Sequence, residues 1–136
     1  MIYITRKFHF SASHRLYKEG FSDEENFKKY GMCSNPNGHG HNYILEVTVG
    51  GEVDPETAFV LNLKELKDIV QTSLISKVDH KNLNLDVDFM KGIIPSTENI
   101  VIQIWNIIKP LIDNGQRKLH SIKLQETENN YVEYKG

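Results

Sequence analysis

The fold of this chain is decided by residues 39–49, which read HGHNYILEVTV. From Tyr43 to Val49, a large apolar or aromatic side chain recurs at every second position. That period of two is typical of a β-strand with one face against a core. A pair of glycines at 50 and 51 follows, so we predict a strand from His39 to Val49.

The same period marks an earlier strand, from about Tyr3 to Ser13. Its apolar face consists of Ile2, Ile4, Phe8, Phe10 and Ala12. His14 is the next residue of this parity and therefore faces the same way. The segment from Glu19 to Asn37 is polar, and we predict a long loop there with room for one short helical turn. Loops of this length inside compact domains often carry function.

Two helices follow, and each is opened by a capping residue. Asn62 can cap the first, with Glu65 three residues later as in a capping box. Ser96, after Pro95, can cap the second, which ends at residues 114–115. Both helices carry apolar side chains at helical spacing, which predicts a face toward the core. These are Leu63, Leu66, Ile69, Val70 and Leu74 in the first, and Ile100, Val101, Ile104, Trp105, Ile108, Leu111 and Ile112 in the second.

Two further strands complete the pattern, from Lys118 to Gln125 and from Tyr131 to Tyr134, with a turn at residues 128–130. The order predicts a single α+β domain over residues 1–136. In it, two helices cover one face of a four-stranded antiparallel sheet. The open edges of so small a sheet need protection, which favours an oligomer.

Composition excludes several classes of protein. The 136 residues suit one domain, and 39% hydrophobic and 25% charged residues are near the globular average. A net charge of -2 gives no strong field toward nucleic acid or anionic lipid. We find neither a signal peptide nor a stretch that could span a bilayer, so we expect a cytoplasmic protein. In that reducing compartment the single cysteine, Cys33, is a free thiol.

Three histidines indicate a metal site. His39 and His41 are two residues apart in a strand and project together. His14 lies at the end of the other inward face and comes beside them if the two strands pair. Three imidazoles form a zinc site with an open fourth position, as in catalytic centres. Two alternatives stay open: a chance His-x-His pair, and a closed structural site with Cys33 as fourth ligand.

Four other residues are candidates for acid–base chemistry or binding. Cys33 lies among polar turn formers, which argues against a merely buried role, and a thiol near a metal can act as a base. Asp79 can orient and charge-stabilise the adjacent His80, although such pairs are common on surfaces. Glu126 shares the parity of the inward strand residues, and a buried carboxylate needs a partner or a ligand.

Five segments together closely resemble the 6-pyruvoyl-tetrahydropterin synthase family, in order and over essentially the whole chain. They are residues 10–15 (FSASHR), 33–43 (CSNPNGHGHNY), 79–83 (DHKNL), 96–99 (STEN) and 126–127 (ET). The resemblance implies a tunnelling fold, in which subunit sheets join into a barrel and trimers stack into a homohexamer with active sites at subunit interfaces. It implies a lyase that converts 7,8-dihydroneopterin triphosphate to 6-pyruvoyl-tetrahydropterin and releases triphosphate, toward tetrahydrobiopterin.

The resemblance also implies roles for individual residues. His14, His39 and His41 match the zinc ligands, and Cys33 matches the catalytic base. Asp79 and His80 match a proton relay that a neighbouring subunit supplies. The family's pterin pocket is matched by Glu126, Thr97 and Glu98. Apart from the resemblance, a triphosphate needs cations, and the candidates are Arg15, Lys28, Lys29 and Lys81, with a solvated surface charge as the alternative for each.

Two other functions remain as alternatives. A carboxy-forming synthase of the same fold acts on the same substrate, but its cysteine typically lies closer to the His-x-His pair than Cys33 does here. A non-catalytic zinc-binding or pterin-binding module would have no need of a thiol and a relay.

Overall fold

A computed structural model describes residues 1–136 and contains one sheet of five strands. The strands are β1 Ile2–His14, β2 His39–Gly51, β3 Lys81–Asn82, β4 Arg117–Thr127 and β5 Asn130–Tyr134. The order across the sheet is β3-β1-β2-β4-β5. Neighbouring strands are antiparallel except β3, which pairs parallel with β1. The expectation of an α+β fold is confirmed, but that of a four-stranded, wholly antiparallel sheet is wrong, because a two-residue strand is too short to show a period in the sequence.

Four helical segments accompany the sheet. They are α1 Asp23–Tyr30, α2 Leu63–Val70, the short α3 Ser76–Val78 and α4 Thr97–Ile112. α2 runs through a π-helical turn, Gln71–Ile75, into α3. The side chains of Asn62 and Ser96 cap α2 and α4 as predicted. None of the helices is both long enough and apolar enough to cross a membrane.

The predicted loop between the first two strands contains a full helix, α1. Ser22 caps it by accepting a hydrogen bond from Glu25 N at 3.1 Å. Three acidic residues lie in its first turn and two lysines in its last, an arrangement that suits the helix dipole. Charge and capping therefore form this helix, while its few apolar residues give no periodic signal.

The core lies between one face of the sheet and the helices α2 and α4. On β2, Tyr43, Leu45, Val47 and Val49 are fully buried, as their alternation predicts. Burying an aliphatic side chain of this kind contributes about 1.5–3 kcal/mol. Leu63 and Leu111, which were expected to face the core, are instead about half exposed at the outer sides of their helices.

Candidate metal centre and adjoining cavities

The pairing of β1 with β2 brings three histidines together. His14 is paired with His39 and Ala12 with His41, so all three imidazoles project from the core face at one end of the hairpin. Their candidate ligand nitrogens all lie within 4.8 Å of one another. His14 Nε2 and His39 Nε2 are 3.0 Å apart. Two nitrogens on a tetrahedral zinc lie about 3.3 Å apart, so this pair is already near the spacing that zinc requires.

His14 is fixed by a hydrogen bond on the far side of its ring. Its Nδ1–H donates to the Pro95 carbonyl oxygen at 2.8 Å, which leaves the Nε2 lone pair directed at the cluster. The Tyr43 hydroxyl lies 3.5 Å from the same Nδ1. Burial lowers the pKa of His14 by more than the hydrogen bond to Pro95 raises it. The lowered pKa favours the neutral ring. A neutral imidazole with one free, directed nitrogen is the form that binds metals.

His41 carries the strongest sign that a ligand belongs here. Its Nε2 is buried and has no hydrogen-bond partner. An unsatisfied buried nitrogen costs about 1–3 kcal/mol and calls for an explanation. Burial also lowers the pKa of His41, which favours the neutral imidazole that can bind a metal. A metal ion at the centre of the cluster would satisfy it, and the three histidines therefore fit a metal with at least one open position.

Glu126 adjoins the cluster. Its Oε1 lies 3.8 Å from His41 Nε2, and its Oε2 accepts a hydrogen bond from Thr97 Oγ1 at 2.6 Å. The predicted inward direction of Glu126 is found, although the strand is irregular between Gln125 and Thr127. Glu126, Thr97 and Glu98 line a cavity of about 340 Å³. Leu16, Tyr131 and Val132 supply its apolar walls.

Asp79 and His80 form a contacting pair at the edge of β1. Their side chains meet at 3.0 Å between His80 Nδ1 and Asp79 Oδ1. Ser11 N donates to Asp79 Oδ1 at 2.9 Å, and this bond is the main cause of the lowered pKa of Asp79. His80, at φ 60°, donates its own N–H to Ser11 O. Its imidazole is 82% exposed and lines a polar cavity of about 490 Å³ with Ser13 and Asn42.

No hydrogen bond joins Asp79 or His80 to the thiol of Cys33. His80 forms no hydrogen bond with Cys33 or with the three histidines. Cys33 lies in a single 3₁₀ turn, Gly31–Ser34, that follows α1. It is partly exposed, and its carbonyl oxygen accepts a hydrogen bond from Leu16 N at 2.9 Å. Its sulfur does not belong to the cluster of three histidine nitrogens that could hold a metal ion, so the geometry does not favour the closed site with Cys33 as fourth ligand.

Several residues that shape the site carried no signal in the sequence. Pro95 orients His14 from 81 positions away through a backbone carbonyl. Asn84 holds the backbone of Arg15 with two hydrogen bonds from an otherwise ordinary turn. Backbone and amide contacts of this kind depend on tertiary packing, so no sequence motif predicts them.

The chain is similar to known proteins over nearly its whole length. The model of the family described as 6-pyruvoyl tetrahydropterin synthase matches residues 3–136. The 6-pyruvoyl tetrahydrobiopterin synthase of Pongo abelii is 48% identical over 133 residues, covering 98% of this chain and 90% of that protein. The human protein of the same name is 47% identical with the same coverage. The solved 6-pyruvoyl tetrahydropterin synthase of Caenorhabditis elegans superposes with a TM-score of 0.91 at 39% identity, covering 99% of this chain and 95% of that one.

Proposed function

From the premise that this chain belongs to the 6-pyruvoyl tetrahydropterin synthase family, we propose that it is a zinc-dependent lyase acting on 7,8-dihydroneopterin triphosphate. Its products are 6-pyruvoyl-tetrahydropterin and inorganic triphosphate, on the route to tetrahydrobiopterin. The observation that carries the proposal is the buried, unpartnered Nε2 of His41 beside Glu126 and its cavity. The candidate metal site therefore lies next to the cavity that Glu126 lines.

His14, His39 and His41 would hold the zinc ion. When bound, zinc supplies a Lewis acid that stabilises negative charge developing on a substrate oxygen. Imidazole also suits other transition metals, so a metal analysis has to accompany the assay.

Glu126 orients the ring system of the substrate. Its carboxylate can accept two parallel hydrogen bonds from the N–H groups of a pterin edge, and charge-assisted pairs of this kind fix an angle as well as a position. Thr97 already holds one carboxylate oxygen at 2.6 Å. The cavity has a polar end and apolar walls, which suits a flat heterocycle. Glu98 adds a second carboxylate to its rim.

Cys33 takes the proton from the side-chain carbon of the substrate. The thiolate is the form of cysteine that acts as a base, and a zinc ion on the three histidines would favour that form. Loss of that proton and tautomerisation lead to elimination, in which the carbon–oxygen bond to the triphosphate breaks and its electron pair leaves on the triphosphate oxygen. The steps need no external oxidant or reductant, because the side chain is oxidised as the dihydropterin ring is reduced.

Asp79 and His80 complete the proton relay in a neighbouring subunit. Support comes from the exposed His80 ring, which forms no hydrogen bond with the Cys33 of its own chain but is held at a defined orientation by Asp79. Such an arrangement suits a homohexamer of two stacked trimers with sites at subunit interfaces. Sedimentation of the purified protein tests the assembly, and a stable monomer with full turnover would contradict it.

The decisive experiment is product identification. Purified protein loaded with zinc is incubated with 7,8-dihydroneopterin triphosphate, and products are identified by mass spectrometry while triphosphate release is followed. We expect the pyruvoyl product, and its loss in a His39→Ala control. A carboxylated product would indicate the other synthase type, and no triphosphate release would indicate a binding module.

A further inference from the structure

We propose that Arg15 is a positioning residue that clamps the turn carrying Cys33 to the end of β1, and so sets the place of the thiol relative to the metal ligand His14. The inference rests on the proposed function, which makes Cys33 the base. It removes Arg15 from the cations available for the triphosphate.

The contacts of Arg15 point into the protein. Its Nε donates to Ser34 O at 2.8 Å, and Nη2 lies 3.2 Å from Asp23 Oδ1. The guanidinium carbon is 4.1 Å from the centre of the Tyr17 ring. The side chain is only 18% exposed. Its charge is therefore paired and its planar face covered, which leaves little of it for a ligand.

Arg15 is one of three ties between two adjoining segments, residues 14–16 and residues 33–38. The second tie is the hydrogen bond from Leu16 N to Cys33 O at 2.9 Å. The third is the close approach of Gly38, where an added Cβ would lie 2.9 Å from His14 O. Of the two hydrogen bonds among these ties, only the one from Arg15 uses a side chain and can be removed by changing that side chain.

The anchor of this clamp is itself held. Arg15 N donates to Asn84 Oδ1 at 2.7 Å, and Asn84 Nδ2 donates back to Arg15 O at 2.9 Å. This bidentate amide contact fixes the backbone of Arg15 on one side while its guanidinium grips the Cys33 turn on the other. Arg15 thus adds a side-chain link between a fixed strand end and a 3₁₀ turn, whose hydrogen bonds have poorer geometry than those of an α-helix.

Loss of the contacts of Arg15 should affect the rate of catalysis more than the stability of the fold. A displacement of about 1 Å between reacting groups can cost about 100-fold in rate. Lysine cannot replace arginine here, since it lacks the planar fork that reaches Ser34 O and stacks on Tyr17 at once. The substitution Arg15→Lys therefore keeps the positive charge and removes the positioning contacts, so the two roles of Arg15 can be tested separately.

The test compares Arg15→Lys and Arg15→Met with Asp23→Asn, a control that removes the 79% exposed partner but leaves the bond to Ser34. Because Cys33 is the only cysteine, its alkylation by iodoacetamide is a clean readout. In the wild type we expect added zinc to move the alkylation midpoint to lower pH, since a nearby cation favours the thiolate. In Arg15→Lys that zinc-dependent shift should fall by more than half and kcat by about tenfold or more, with KM and zinc content nearly unchanged.

Other results would overturn the proposal. A KM raised about tenfold at constant kcat would place Arg15 on the substrate. An unchanged zinc-dependent shift in both variants, or none in the wild type, would mean that Arg15 does not set the distance between thiol and metal. If Arg15→Met fails to fold, Arg15→Lys decides, and loss of folding or of zinc there too would make Arg15 merely structural. Absence of any turnover in the wild type would refute the proposed function instead, while the alkylation result still decides on Arg15.

Discussion

Thr97→Val removes one hydroxyl from the floor of the Glu126 cavity while keeping the branched shape of the side chain. The hydrogen bond lost, from Thr97 Oγ1 to Glu126 Oε2, is 2.6 Å long and ends on a carboxylate. Bonds to charged groups are worth about 1.5–3 kcal/mol. Because Glu126 is 25% exposed, water can replace part of this one, and we take about 1.5 kcal/mol.

That value is an upper limit for the effect on ligand binding. The bond is present before and after binding, so its loss weakens affinity only as far as it preorganises Glu126. Since about 1.4 kcal/mol corresponds to a factor of ten, we expect the Kd for 7,8-dihydroneopterin to rise about three- to tenfold. The zinc content should not change, because the hydroxyl of Thr97 bonds to Glu126 and not to the histidines.

The assay is a fluorescence titration of pterin into zinc-loaded protein, with zinc measured by mass spectrometry in the same samples. Thr97→Ser is the matched control, since it keeps the hydroxyl and should bind within about twofold of the wild type. Wild-type affinity in Thr97→Val, or equal weakening in Thr97→Ser, would refute the idea that Thr97 preorganises Glu126 by hydrogen bonding.

Three further predictions address the thiol, a glycine and an acidic residue. Cys33→Ala should keep zinc at the wild-type ratio while turnover collapses, and loss of zinc would instead make the thiol a ligand. Gly38→Ala combines a φ of 70° with a Cβ 2.9 Å from the carbonyl oxygen of His14, so it should destabilise the fold by about 1–3 kcal/mol and, if His14 is a ligand as proposed, weaken zinc binding. Gly92→Ala, at φ 75° with open space, incurs only the backbone strain, and equal effects in a denaturant titration and a zinc titration would exclude the close contact as the cause. The hydrogen bond from Ser11 N–H lowers the pKa of Asp79, so the ionised carboxylate stabilises the fold at pH values above the usual carboxylate pKa of about 3.9, and that stability is lost as the pH falls. Between about pH 6 and pH 3, the Tm of Asp79→Asn should therefore fall by less than the Tm of the wild type. An equal fall in Tm for the two proteins would contradict this.

Much of the fold can be predicted from local patterns. Alternation in residues 2–14 and 39–49 identifies the central hairpin because successive strand residues face opposite ways. Caps at Asn62 and Ser96 locate two helices because side-chain oxygens satisfy the free N–H groups there. The sequence predicts no more than a short helical turn where α1 lies, because charge and capping form this helix without an apolar stripe. It predicts no strand at β3, because two residues have no period.

The sequence by itself determined that His14, His39 and His41 face one way, and that Glu126 faces with them. Parity along a strand is a local property, so a residue's side of the sheet follows from its place in the alternation. Only the tertiary structure decided which contacts complete the site: Pro95 on His14, Thr97 on Glu126, and the unpartnered nitrogen of His41. It also left the His80 ring 82% exposed and paired with Asp79. Distances between segments far apart in sequence depend on how the whole core packs, and packing is a sum over many residues that no short motif records.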